Sequence, residues 1–121
     1  MTNIWLCISG IFGFLGVGAG AFGAHALKTR LSEDLLAIFE TGSHYCLIHA
    51  VVLLAIAIYI EQTSSIWATR SAWCFSVGIT IFSGSLWILA LTNTRWLGAV
   101  TPIGGVFLLL GWIFLCLAGT K

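Results

Sequence analysis

The ionisable side chains of this 121-residue chain are confined to a few short segments, and that confinement limits its fold more than any other feature. Lys28, Arg30, Glu33, Asp34 and Glu40 fall in one segment, Glu61 and Arg70 bound a second, Arg95 marks a third and Lys121 closes the chain. The stretches between them, Thr2 to Leu27, Thr41 to Ile60, Ser71 to Thr94 and Trp96 to Thr120, hold no Asp, Glu, Lys or Arg. An ionised group at the centre of a bilayer costs about 2.5–3.5 kcal/mol on insertion scales, so hydrocarbon excludes such groups. Each stretch meets the roughly 20 residues that a helix needs to cross about 30 Å of hydrocarbon. The chain is therefore read as all-α: an integral membrane four-helix bundle in a single domain, with spans near 3–24, 41–60, 71–92 and 99–119.

Composition agrees. Charged residues make up 7% and hydrophobic residues 60%, whereas a soluble domain carries about a quarter charged residues. A net charge of +1 without any basic cluster excludes nucleic acid as a partner. Ala24-His25-Ala26 resembles the small-residue cleavage site of a secretory signal, but no Lys or Arg precedes the apolar run, so the first stretch is read as a membrane helix. Cys7, Cys46, Cys74 and Cys116 fall one in each stretch, without CxxC or metal spacing. They are read as small hydrophobes.

Local signals place the ends. Gly16, Gly20 and Ala24 recur every four residues in the first span, beside Ala19 and Gly23. Such a stripe lets another backbone approach, and close packing is what associates helices in lipid. Gly84, Gly104 and Gly105 are expected to serve the same purpose, with Gly111 beyond them. Ser32 can cap a helix whose first turn holds Glu33 and Asp34. With Leu31, Leu35, Ile38 and Phe39 on one side, residues 31–40 read as a short interfacial amphipathic helix between spans 1 and 2, although one long helix from Ser32 to Ile60 is compatible with the same residues. Thr101-Pro102 reads as the start of the fourth span, with Thr as cap and Pro in the first turn.

The chain resembles a family of small multi-span proteins catalogued as domain of unknown function 423. The resemblance covers nearly its whole length. It is carried by Gly20-Ala-Phe-Gly-Ala-His25, by Tyr45 and His49, by Phe82-Ser-Gly-Ser-Leu-Trp87, and by Thr101-Pro-Ile-Gly-Gly105 with Trp112. Trp87 stands where the family motif carries Tyr, which keeps an aromatic donor but loses a hydroxyl acceptor. His44 is a further departure. The resemblance implies four spans in a bacterial inner membrane or its organellar counterpart, and no assigned activity.

One polar set remains for chemistry. Alternating helix directions bring His25, Glu40, His44, Tyr45, Asn93 and Thr101 to one leaflet, with His49, Ser83 and Ser85 deeper. These groups are expected to satisfy one another and backbone carbonyls, because an unpartnered buried polar group costs about 1–3 kcal/mol. Three histidines and a carboxylate also suit metal binding or proton transfer. His44 and His49, however, diverge by about 140° around a helix, and HExxH is absent. No paired carboxylates, activated nucleophile or phosphate loop suggests an enzyme or a cofactor. The expected role is a structural or accessory bundle that forms homo-oligomers and binds membrane lipid or a membrane-protein partner in the cell inner (plasma) membrane. A small channel or transporter using the histidines is the alternative.

Overall fold

The computed structural model describes residues 2–120, and four long apolar helices account for nearly all of them. They are α1 (Ile4–Leu27), α2 (Glu33–Thr63), α3 (Ile66–Thr92) and α4 (Thr101–Ala118), the last preceded by a 3-10 turn over Arg95–Ala99. Side-chain caps start three of them. Asn3 Oδ1 accepts from the Leu6 N–H at 3.1 Å, Ser32 Oγ from Leu35 at 3.2 Å and Ser65 Oγ from Ala68 at 3.2 Å, each satisfying a donor that a helix start leaves free. Ser64 and Asn93 end α2 and α3 in the left-handed region, with φ of 54° and 53°. Asn tolerates that conformation better than most residues.

The interfacial segment 31–40 is not a separate helix. Glu33–Glu40 forms the first turns of the 31-residue α2, because nothing at the junction breaks the backbone ladder. Thr41 and Ser43 donate back to the carbonyls of Ala37 and Phe39 at 2.9 and 3.1 Å, and Gly42 is held inside the helix by the Trp87 indole packed on it. At 1.5 Å per residue α2 is about 46 Å long, well beyond the hydrocarbon thickness. Its acidic first turns therefore reach past the apolar layer.

The first span also departs from a plain α-helix. Gly18–Gly23 forms a π-helical turn, after which α-helical geometry continues to Leu27. Small residues permit this widening because few side chains there resist it. Thr101 does not cap α4 with its side chain, although Pro102 sits in the first turn as expected. Its hydroxyl lies instead 3.2 Å from the Leu97 carbonyl and 2.6 Å from Ser85 Oγ.

α2 and α3 form the centre. Cys46, Leu53, Ile56 and Ala57 from α2 meet Ala68, Ala72, Phe75 and Ile79 from α3, all of them buried. α1 packs mainly on α2, and α4 mainly on α3. Only 17% of the apolar window of each outer helix is buried, against 39% for α2 and 44% for α3. Large apolar side chains such as Phe14, Phe22 and Leu109 consequently point outward. At one end Trp5 meets Trp73 edge to face at 5.2 Å. At the other, Arg95 pairs with Asp34 at 2.8 Å and with Asn93 Oδ1 at 2.8 Å, fastening the α3–α4 turn to the start of α2. Both partners of that ion pair are exposed, so it contributes little.

Candidate functional site

The buried hydroxyls cross-link the helices. Ser83 Oγ donates to the Gly42 carbonyl at 2.6 Å and joins α3 to α2, while Ser71 Oγ donates to the Gly111 carbonyl at 2.7 Å and joins α3 to α4. Ser9 Oγ donates to the Ala50 carbonyl at 2.9 Å, tying α1 to α2. The Trp87 indole N–H donates to Ser43 Oγ at 3.1 Å and ties α3 to α2. Ser85 and Thr101 lie 2.6 Å apart. Each hydroxyl has one hydrogen, and two orders satisfy the pair: Ser85 to Thr101 to the Leu97 carbonyl, or Thr101 to Ser85 to the Phe82 carbonyl.

His49 is 4% exposed and both its ring nitrogens are engaged. Indole N–H groups only donate, so the Trp112 contact at 3.2 Å requires a lone pair on His49 Nε2. The proton must then sit on Nδ1, which donates to the Tyr45 carbonyl at 2.8 Å. The geometry thus assigns a neutral imidazole of fixed tautomer bridging α2 and α4. Tyr45 stacks over it, Phe75 lies 5.2 Å away, and Phe82 meets Tyr45 at 4.7 Å. Beside this group a slot of about 370 Å³ opens outward between Val106 and Leu109.

The remaining predicted residues do not join it. His25 is exposed on α1 and makes no side-chain hydrogen bond among the described residues. Asn93 ends α3 and holds Arg95. Glu40 and His44 are exposed one turn apart on α2 and border a second groove, of about 420 Å³, against Val17, Gly20 and Ala21 of α1. His49 is buried beside the slot, His44 borders the groove and His25 lines neither, and no group of three His, Cys, Asp or Glu able to hold a metal forms among the described residues.

The glycines divide as sharply. A Cβ at Gly104 would lie 2.9 Å from the Gly78 carbonyl oxygen, which marks backbone contact between α4 and α3. A Cβ at Gly16 would come within 2.8 Å of Leu47 and one at Gly23 within 3.0 Å of Phe39, so both glycines make room for α2 as the stripe predicts. Gly20 has room to spare, Ala24 is half-buried, Gly105 only grazes Phe82, and Gly84 faces open space, so the packing role expected of Gly84 is not met. Gly42 and Gly78 make close contacts that the stripe reading missed. Gly42 is the one glycine of α2 and Gly78 stands six residues from Gly84 on α3, so neither belongs to a four-residue stripe, and the signal would have been a bulky residue opposite it on a neighbouring helix.

A family model described as "Protein of unknown function (DUF423)" matches residues 19–105, from the π-helical turn of α1 to the first turns of α4. The chain belongs to the DUF423 family. It is similar to a UPF0382 membrane protein of Staphylococcus epidermidis, 42% identical over 98% of this chain and 97% of that one. It is also similar to UPF0382 membrane protein YwdK of Bacillus subtilis, 38% identical over 98% of each. No solved structure matches. In this DUF423 chain, Tyr45, His49, Phe82, Pro102, Gly105 and Trp112, which carry the resemblance, come together around the 370 Å³ slot.

Proposed function

We propose that this DUF423 chain is a structural or accessory protein of the bacterial inner (plasma) membrane. Its inner polar groups hold the bundle in one register, and its outward apolar faces self-associate or bind lipid and other membrane proteins. One observation carries the reading. Among the described residues no buried side-chain nitrogen or oxygen lacks a hydrogen-bond partner, so the interior polar set is closed upon itself. A relay or binding centre in the core would hold donors or acceptors open for a visiting species. Instead the unspent surface is apolar and external, on α1 and α4. His44 and His49 line different cavities and His25 lines neither, which speaks against conduction through a shared histidine cluster.

The experiment is extraction in a mild detergent or directly into nanodiscs, followed by mass measurement of the intact particle. Oligomers, retained lipid or a co-purifying membrane protein are expected. A strictly monomeric chain free of lipid and partner overturns the reading, as does proton, cation or small-solute flux above that of empty liposomes.

A further inference from the structure

Outside the closed core, one cavity brings a carboxylate and an imidazole together, neither of them paired. The groove between α1 and α2 holds the Glu40 carboxylate and the His44 imidazole, one helical turn apart. Neither makes an ion pair or side-chain hydrogen bond among the described residues; the ion pair found there joins Arg95 to Asp34 instead. Ser43 lies between them but is committed, donating to Phe39 and accepting from Trp87. The opposite wall is Gly20 and Ala21 in the π-helical turn, which leaves the groove unfilled.

We propose that this groove is a headgroup site for an amphiphile bearing a primary ammonium and an ester carbonyl, namely an aminophospholipid of the leaflet that contains the Ser32 end of α2. Glu40 borders the uncharged stretch that begins at Thr41, which sets it at the headgroup boundary. A carboxylate there is stabilised by a cation, and a primary ammonium supplies both the charge and three donors. His44 lies one turn deeper, about 6 Å along the helix axis, the order in which such a lipid presents its ester carbonyl below its headgroup. An imidazole N–H donates to that carbonyl. Leu47 and Val17, another turn inward, meet the start of the acyl chain. The inference rests on the lipid-binding part of the function proposed above and names the lipid chemistry.

The test uses the full chain in nanodiscs of equal parts phosphatidylethanolamine and phosphatidylglycerol, then native mass spectrometry of the lipids retained on release. A retention ratio of about tenfold in favour of phosphatidylethanolamine is expected, equivalent to about 1.4 kcal/mol. Glu40→Gln should bring the ratio close to one, and because Glu40 is exposed the variant should fold as the native chain does. Ala21→Leu, which fills the groove from the other wall, should lower retained phosphatidylethanolamine with the carboxylate intact. Replacing the diacyl lipid with its diether analogue should weaken retention by the native chain and not further in His44→Ala. Equal retention of the two lipids by the native chain, or an unchanged ratio in Glu40→Gln, overturns the headgroup assignment even when total bound lipid is undiminished. Equal retention of dodecylammonium, a cation without an ester, overturns its assignment to a lipid. A chain that retains no lipid and no partner refutes the broader reading as well.

Discussion

Glycine is used at two helix interfaces in this bundle, and only one of them closes along its whole length. Between α3 and α4, Gly78, Gly104 and Gly111 bring the helices into direct contact: Leu108 fills the space over Gly78, the Phe75 ring lies against Gly111, and the backbone at Phe82 lies against Gly104. Ser71 and the Ser85–Thr101 pair bridge the same seam. Between α1 and α2 the glycines are more regularly spaced; Leu47 covers Gly16 much as Leu108 covers Gly78, and the Phe39 ring covers Gly23, but Gly20 is not tightly met and no position there meets main chain as closely as Gly104 does. There the backbone widens into a π-helical turn and a groove remains. Regular spacing of small residues is thus permission for close approach, and what the facing helix presents decides whether the approach occurs.

The largest effect expected from breaking the tight seam comes from Gly104→Ala. The added methyl would collide with main-chain atoms of α3 that cannot rotate away, and overpacking of this kind costs about 3 kcal/mol. Its neighbour provides the control, because a Cβ at Gly105 meets the Phe82 ring at an ordinary 3.9 Å. Gly105→Ala should change stability by less than about 0.5 kcal/mol. Unfolding of both variants in one detergent, followed by tryptophan fluorescence, decides the matter. Equal stability would mean that the two backbones do not touch.

His49 clamps α4 from the other side, and its removal ranks next. His49→Leu leaves the Trp112 N–H without its acceptor, for which about 2 kcal/mol is expected. In a Trp112→Phe background the same substitution should cost less, since no donor is orphaned. A double-mutant cycle with no coupling would dissolve the bridge and free His49 for another role.

That four apolar helices exist was legible because hydrocarbon tolerates so few charges, but the helices run past the charges that separate the stretches: Glu40 and Glu61 lie within α2 and Arg70 within α3. The ends followed where local chemistry is strong, as at Ser32 and Pro102. Continuity of α2 through Glu40 was not fixed in advance: an amphipathic turn followed by Thr41-Gly42 suits either a break or a continuous helix, and the decision lies with Trp87, forty-odd residues away, packed on Gly42. The same holds for the polar set. Sequence placed the histidines in one leaflet, but which surface each occupies depends on helix rotation, and rotation is set by pairings such as Ser83 with Gly42 that no local pattern announces. The π-helical turn was likewise unannounced, for a run of glycine and alanine permits it without requiring it.

Ser83→Ala tests the central pair at lower cost. The Gly42 carbonyl loses its extra donor but keeps its place in the helix, and interhelical hydrogen bonds in membranes average about 0.6 kcal/mol. A loss of about 1 kcal/mol at most is expected, measured by the same unfolding assay. A much larger loss would move the organising contact from the α3–α4 seam to the α2–α3 pair.

The smallest effect belongs to the loose interface and is the most informative about it. A Cβ at Gly20 would stand 3.7 Å from that of Ser43, an ordinary contact, and alanine is the better helix former by about 1 kcal/mol. Gly20→Ala should therefore be neutral or slightly stabilising, by less than about 0.5 kcal/mol after partial offset by the crowded π-helical geometry. The added methyl meets Ser43 and Leu47 on the facing wall and neither Glu40 nor His44, so the groove should narrow between Gly20 and Ser43 while the space beside the carboxylate and the imidazole persists. A destabilisation comparable to that of Gly104→Ala would instead place α1 as close to α2 as α4 is to α3. The contrast between the two interfaces would then collapse, and with it the open groove.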